Sequence, residues 1–124
     1  MEIGIRRLNM IIKKDERTFK TRVAMREGPG EVFIRDICSK EDLYEKGRLY
    51  AQMVLKKDCG IGFHTHEGEK EIFVINKGKA IYNDDGNEYE VKEGDVMICE
   101  DGHGHGIVNV NDEECLFTAL IVLK

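Results

Sequence analysis

Glycines divide this chain into short runs, and this punctuation limits its possible folds more than any other feature. Thirteen glycines are spread over 124 residues, against a single proline, Pro29. Most of them stand between short segments in which apolar residues alternate with polar ones or form brief runs. Alternation with a period of two predicts strands, and glycine between such segments predicts turns. The pattern is typical of an antiparallel β-protein.

The runs predict nine strands, preceded by residues 3–12 as a first strand or as an arm that packs on a partner chain. Residues 26–30 are expected to form a loop, and Asp85 with Gly86 a tight hairpin turn. Nine or ten short strands are enough to close a barrel or a two-sheet jelly roll. The nine strands are expected at residues 32–37, 49–55, 62–66, 71–76, 79–82, 89–91, 95–99, 105–110 and 115–123.

One short helical turn interrupts the strand pattern. Ser39 is followed three residues later by Asp42, a spacing that is typical of a capped helix start. Gly47 follows closely and is expected to end the helix after a turn or two. The predicted fold class is therefore all-β with one short helical turn.

Length and composition predict one domain over residues 1–124, with an arm and loop at 1–30 and a barrel at 31–124. Apolar residues make up 41% of the chain and charged residues 35%, as in globular proteins. The net charge of −5 does not favour nucleic acid or an anionic membrane as a partner. No membrane span or signal peptide is expected, so the predicted location is cytoplasmic. The cysteines form no CxxC pair and are expected to be free thiols.

The most informative segment contains His64, His66 and Glu71. Strand residues two apart point to the same side, so the two imidazoles aim at one region. The polar link at 67–70 can turn the chain so that Glu71 returns beside His66 on the next strand. Two imidazoles and a carboxylate on facing strands predict a metal site.

The remaining two histidines lie together in a glycine-rich stretch. His103 and His105 stand in Gly-His-Gly-His at 102–105, and His105 opens an apolar strand. A histidine at the mouth of a strand can reach inward as a fourth metal ligand. The sequence thus offers three imidazoles and one carboxylate for one site.

Two spaced motifs resemble those of the cupin family. The first motif has His-x-His, then Glu and Gly, and the second has Gly, Pro, Gly, His and Asn at set spacings. The chain departs from the second motif at Glu100, which replaces the proline that usually shapes the turn before the histidine. A glycine expected before the first histidine is Asp58. The matching residues are His64, His66, Glu71, Gly78, Gly94, Gly102, His105 and Asn109.

The resemblance implies a double-stranded β-helix, or jelly-roll, barrel that holds one divalent transition metal. Mn, Fe, Ni, Co, Cu and Zn all suit three imidazoles and a carboxylate, and affinity order does not choose among them. The similarity is strongest to small single-domain cupins described as oxalate-decarboxylase-like. Small cupins form dimers, so a homodimer is expected here too.

Other residues near the motifs have two readings each. His103 is either a flexible loop residue or an acid–base group in the pocket. Glu100 is either a solvated turn residue or a group that contacts the substrate. Cys99 is expected at the pocket as a packing residue rather than a reactive thiol. Apolar side chains on the inward faces, Phe73, Ile75 and Ile107, are also expected to line the pocket.

Three functions remain open at this point. The first is a metal-dependent enzyme that oxygenates or decarboxylates a small organic acid or carbonyl compound. The second is an isomerase of a sugar-like hydroxy-ketone, disfavoured because the second motif brings no basic cluster for a phosphate. The third is a non-enzymatic module that binds or senses a small ligand on the metal. Fold alone does not decide among them.

Overall fold

A computed structural model describes residues 10–124, and within that range the chain forms ten strands. All strand pairs are antiparallel. The strands are β1 Lys20–Val23, β2 Glu31–Asp36, β3 Gly47–Leu55, β4 Cys59–Thr65, β5 Glu69–Lys77, β6 Lys79–Asp84, β7 Asn87–Lys92, β8 Val96–Cys99, β9 Gly104–Asn109 and β10 Cys115–Leu123.

The strands form two sheets whose order is not the order of the chain. One sheet has the order β1-β2-β3-β10-β5-β8 and the other β4-β9-β6-β7. The last strand, β10, lies between β3 and β5, so the chain crosses repeatedly from one sheet to the other. This is the jelly-roll, double-stranded β-helix arrangement, and the all-β prediction is confirmed.

All nine predicted strands between residues 32 and 123 are present, with ends that differ by a few residues. The tenth, β1, lies within the stretch that was expected to be arm and loop, and it pairs with β2 at the edge of the larger sheet. Its four residues are all exposed, so no alternation of buried and exposed positions marks it in the sequence. Of the strand or arm expected at 3–12, residues 1–9 lie outside the described residues, and 10–12 are not in a strand.

The predicted helical turn is a 3-10 turn at Glu41–Leu43. The Ser39 hydroxyl donates to Asp42 at 2.9 Å, and the Asp42 backbone N–H donates back to that hydroxyl at 3.2 Å. Gly47 begins β3 rather than ending the turn. Two more 3-10 turns occur, at Lys14–Glu16 and Met25–Glu27. Among residues 10–124, no helix is long and apolar enough to cross a lipid bilayer.

Apolar side chains from both sheets fill one half of the space between them. Phe117 and Leu55 are 0% exposed and Phe73 is 1% exposed. Buried Asn109, from the second motif, ties the chain together there: its amide donates to the carbonyls of Leu55 and Glu113, both at 2.9 Å. Its role is therefore structural, since every hydrogen bond that its side chain makes is to an adjacent segment of the same chain.

Candidate metal centre

Four polar side chains converge in the other half of the barrel interior. His64 lies on β4, His66 directly after it and His105 opposite on β9, so the smaller sheet supplies all three imidazoles. Glu71 comes from β5 of the larger sheet. One ligand atom from each of the four lies within 4.8 Å of the others. The cluster therefore joins the two sheets and can hold a metal ion.

The imidazole Nε2 atoms and one carboxylate oxygen face the same point. Glu71 Oε1 is 3.0 Å from His66 Nε2, 3.0 Å from His105 Nε2 and 4.0 Å from His64 Nε2. The Nε2 atoms of His66 and His105 are 3.1 Å apart. These separations suit atoms arranged around one ion with bonds of about 2.0–2.2 Å.

The outward nitrogen of each imidazole has a partner that sets its protonation. His64 Nδ1 donates to the Gly62 carbonyl at 2.7 Å and His66 Nδ1 to the Glu69 carboxylate at 2.6 Å. Both partners are pure acceptors, so Nδ1 carries the proton and a neutral ring keeps a lone pair on Nε2. His105 Nδ1 is 2.8 Å from the Tyr82 hydroxyl, which accepts in the same tautomer. In this tautomer three ring lone pairs and a carboxylate face the same point, which fits a cation.

The Glu69 carboxylate that orients His66 is itself held by Arg48. The guanidinium makes two bonds to it, both at 2.7 Å. These bonds, with the contact to His66, outweigh partial burial and lower the pKa of Glu69 to about 2. Glu69 therefore remains a carboxylate and fixes the ring of His66, as supporting groups do in metal sites.

Burial and neighbouring charges define the state of the inner groups. Burial on its own raises the pKa of Glu71, but contacts with His105, His64 and His66 outweigh it and hold that pKa far below the usual range. Burial lowers the pKa of His105. At neutral pH the cluster thus contains an ionised carboxylate and a neutral His105 imidazole, the protonation states in which both groups bind metals.

A cavity of about 650 Å³ opens beside the cluster. Its inner end includes His64, His66 and Glu71. The other lining residues are apolar or charged: Met25, Ile34, Leu49, Met53, Ile61 and Ile121, with Lys20, Arg22, Arg26, Asp36 and Arg48. This size is within the range of pockets that bind small molecules.

The predicted pocket lining needs correction. Phe73, Ile75, Ile107 and Cys99 are all buried, yet none is among the residues that line this cavity. Phe73 stacks on the ring of His105, with centroids 4.9 Å apart, and packs on Phe117. Along β5, positions after Glu71 lead away from the opening and into the filled half, so these side chains support the cluster from behind. Burial raises the pKa of Cys99 to about 11, consistent with a packing role.

The predicted acid–base residue His103 and Glu100, predicted to gate the pocket or contact the substrate if it is not a solvated turn residue, are not among the residues that line the cavity. His103 Nδ1 is 2.9 Å from Asp85, and that contact raises the pKa of the His103 imidazole. Glu100 forms an ion pair with Lys70 at 3.0 Å. Both side chains are 58% exposed. The turn that contains Glu100 and His103 contacts the site through its backbone instead, because the His66 N–H donates to the His103 carbonyl at 3.1 Å.

Sequence reasoning missed Arg22 and Arg26 at the opening of the cavity and the groups that orient the rings, whereas Arg48 could be named as a side chain that either holds an anionic substrate or lies on a solvated or dimer-facing side. Arg22 and Arg26 lie in a stretch without strand periodicity, so nothing local marks them. Arg48 lies where β3 has one more residue than β10, between the pairs Leu49–Ile121 and Gly47–Val122. Such a bulge redirects a side chain that alternation would place outside. Tyr82 follows the strand alternation and was findable as an inward position on β6.

Comparison with known proteins agrees with this geometry. A family model described as "Cupin domain" matches residues 51–122. An "Oxalate-binding protein" of Thermotoga maritima is 37% identical over 114 residues, or 92% of this chain and 94% of that protein. The crystal structure of a predicted oxalate decarboxylase from Thermotoga maritima has a TM-score of 0.89 at 36% identity, covering 93% of this chain and 100% of that one.

A more distant structure shares the fold alone. The polyketide cyclase RemF of Streptomyces resistomycificus has a TM-score of 0.73 at 18% identity, covering 94% of this chain and 81% of that one. Its different chemistry illustrates that one barrel hosts many reactions. Since the family model spans more than half of the sequence and the Thermotoga protein matches along nearly all of it, this chain belongs to the cupin family.

Proposed function

We propose that His64, His66, Glu71 and His105 bind one divalent transition metal, and that the metal binds a small organic acid through its carboxylate oxygens. The observation that carries this proposal is the convergence of three imidazole nitrogens and one carboxylate oxygen, all within 4.8 Å of one another. Mn, Fe, Ni, Co, Cu and Zn are the metals that suit this set. The bound metal supplies Lewis acidity toward a carboxylate or carbonyl oxygen.

The number and type of ligands support a site with open positions. The protein offers three imidazoles and one carboxylate, and several of the metals that suit this set take five or six ligands. A metal of that kind would keep at least one position for water or ligand. The cavity beside His64 and His66 gives a small molecule access to it.

The relatives and the cavity charge support an acid as the ligand. The Thermotoga protein of 37% identity is described as oxalate-binding, and oxalate binds metals through its carboxylate oxygens. Four basic side chains line the same cavity against two carboxylates, Asp36 and Glu71. A positive opening attracts anions and raises their local concentration.

A metal-dependent decarboxylase or oxygenase is the second candidate, favoured by the related structure described as a predicted oxalate decarboxylase. Turnover needs a group that moves protons, and His103 and Glu100 lie outside the cavity. Among the described lining residues, the acidic group besides Glu71 is Asp36, which pairs with Lys20. This arrangement favours binding over turnover. The basic residues at the opening could also bind a phosphate, which supports a sugar-phosphate isomerase as the least favoured function.

The test begins with the metal content of the purified protein, measured by elemental mass spectrometry. We expect about one transition metal per chain and calorimetric binding of oxalate to the metal-loaded form only. Carbon dioxide release and oxygen uptake with oxalate then separate an enzyme from a binding module. Oxalate binding of equal strength in the metal-free protein would overturn the proposal.

We further propose a homodimer in which residues 3–12 pair with or pack on the partner barrel and cover apolar sheet. The larger sheet offers exposed apolar side chains for this contact, including Val96 at 58% and Ile98 at 52% exposure, and exposed apolar surface can mark an interface. Light scattering on the full chain should give a dimer, and deletion of residues 1–12 should give monomer or insoluble protein. An unchanged soluble dimer after the deletion would remove the arm from the interface.

Three of the cysteines support the predicted cytoplasmic location. Cys59, Cys99 and Cys115 are free thiols. Free thiols persist in a reducing compartment, whereas disulfides are common outside it. Fractionation of the source cells, with the protein detected by antibody, tests this location directly.

A further inference from the structure

The opening of the cavity carries positive charge that no neighbour balances, in a chain whose net charge is −5. Lys20 forms an ion pair with Asp36 at 3.2 Å, and Arg48 forms an ion pair with Glu69. The exposed side chains of Arg22 and Arg26 have no hydrogen-bond or ion-pair partner among residues 10–124. Two guanidiniums therefore remain free to bind an anion, and such groups bind carboxylates in bidentate geometry.

The cavity is much larger than oxalate requires. Its volume of about 650 Å³ lies within the range that encloses drug-sized ligands. Besides the ligand cluster and the charged residues, the lining is apolar: Met25, Ile34, Leu49, Met53, Ile61 and Ile121. A ligand that fills this space would have a hydrocarbon segment along the apolar wall.

Close backbone packing fixes the turn that carries Arg26. Gly28 and Gly62 lie so near each other that a Cβ on either would collide with the backbone of the opposite segment. This contact holds the turn Met25–Glu27 against β4, two residues before His64. The Gly60 N–H also donates to the Pro29 carbonyl at 2.9 Å. Arg26 is thus anchored to the strand that carries His64 and that leads directly into His66.

The same turn is held in an unfavourable backbone conformation. Ala24, Arg26 and Glu27 have φ of 52°, 52° and 62°, in the left-handed region that residues other than glycine rarely adopt. Strain of this kind persists where surrounding structure imposes it and concentrates at binding sites. Here the structure maintains it at the cavity opening.

We propose that the preferred ligand is a dianionic organic acid longer than oxalate, with one carboxylate on the metal, a hydrocarbon segment along the apolar wall and the second anionic group on Arg22 and Arg26. This inference rests on the proposed function, because the first carboxylate needs the metal. It adds the substrate class and names the two arginines as specificity-determining residues.

The test compares acids of equal chain length by calorimetry with the zinc-loaded full chain. Oxalate, succinate, glutarate and adipate are measured beside the monoacids butyrate, valerate and caproate. We expect at least one longer diacid to bind about tenfold or more tightly than its matched monoacid, the effect of a charge-assisted hydrogen bond to the second carboxylate. Arg22→Gln and Arg26→Gln should each reduce this ratio severalfold, because a weaker general attraction for anions affects the diacid and its matched monoacid in the same direction, whereas the contact with the second carboxylate is lost for the diacid alone.

Lys92→Gln is the matched control, because it removes the same charge far from the cluster, beside a separate depression that includes Gly78. It should leave the diacid ratio as in the parent protein. Circular dichroism and zinc content establish that each variant is folded. If Arg26→Gln disturbs its turn, the diacid ratio of Arg22→Gln alone tests whether the arginines bind the second carboxylate.

Two results would overturn the inference, and they are distinguishable. Oxalate binding without any preference for longer diacids, or with a preference that survives both arginine variants, defeats the inference and leaves the proposed function standing. If the zinc-loaded protein binds neither oxalate nor any longer acid, the proposed function fails with it.

Discussion

The two halves of the barrel interior share strands but differ in what they contain: one holds the metal cluster and the other is filled with apolar side chains. On β5, Glu71 faces the metal cluster, while Phe73 and Ile75, two and four residues on, are sealed in apolar core at 1% exposure. The cluster half collects a carboxylate and three imidazoles around a cavity, an arrangement that is costly to fold. The filled half lacks such groups apart from the satisfied Asn109. Along β5, the residue that contributes to the metal cluster and the residues that contribute to the apolar core thus lie at different positions of one strand.

The largest expected effect comes from removing a large side chain from the filled half. Phe117→Ala removes a side chain with 0% exposure that packs 4.7 Å from Phe73 between ring centroids. We expect the free energy of unfolding, measured by urea denaturation of the metal-free protein, to fall by about 3–5 kcal/mol. Tyr89→Ala, an exposed aromatic position, is the control and should change it by less than about 0.5 kcal/mol. Equal effects would mean that the filled half does not dominate stability.

The opposite half is tested by a change that keeps its volume. Glu71→Gln removes the one anionic ligand while preserving shape, so metal affinity should fall by more than about 100-fold. Competition with a chelating dye measures the affinity, and circular dichroism should show unchanged β-structure. Glu67→Gln, on the exposed link before β5, serves as control. A variant that keeps full affinity would exclude Glu71 as a ligand.

Smaller losses are expected from the groups behind the imidazoles. Glu69→Gln weakens the acceptor for His66 Nδ1, and Tyr82→Phe removes the hydroxyl beside His105 Nδ1. Each should lower metal affinity about 10- to 100-fold, because the ring loses its fixed tautomer and orientation. The same dye competition applies, and Tyr82→Phe should leave the unfolding midpoint nearly unchanged. A loss of stability without a loss of affinity would assign these residues to packing.

The mildest perturbation is a change of pH. The hydrogen bond to Glu71 raises the pKa of His66, so on acidification this ring takes up the proton that competes with a metal at a higher pH than an ordinary histidine does. Affinity should be constant above that pKa and fall about tenfold per pH unit below it. In Glu69→Gln, which weakens a contact that also raises this pKa, the fall should begin at lower pH. Affinity that stays constant from pH 8 to pH 5 would contradict the assignment.

Periodicity and motif spacing predicted the strands and the four converging residues, because both are encoded by short-range pattern. His64 and His66 lie two apart on one strand, and the link to Glu71 is only four residues long. His105 could be placed because its strand is apolar and its spacing matches a known motif. Each inference depended on neighbours in the sequence.

The cavity opening could not be predicted in this way, because it is assembled from distant segments. Arg22 lies on an edge strand with every residue exposed, and Arg26 reaches the site through a contact between Gly28 and Gly62. Arg48 could be named from the sequence as a side chain that can hold an anion, but the bulge at its position could not. The predicted lining was wrong for a related reason: alternation identifies inward residues, but it does not tell which half of the interior is left unfilled.

The bond between Tyr82 and His105 gives the protein a built-in optical signal. The chain contains four tyrosines and no tryptophan, so tyrosine emission is not masked by energy transfer to an indole. One of the four emitters stands 2.8 Å from a proposed metal ligand, close enough for a paramagnetic ion such as Cu²⁺ or Mn²⁺ to quench it. Loading can then be followed by fluorescence without a label, with Tyr82→Phe as the blank that isolates this contribution.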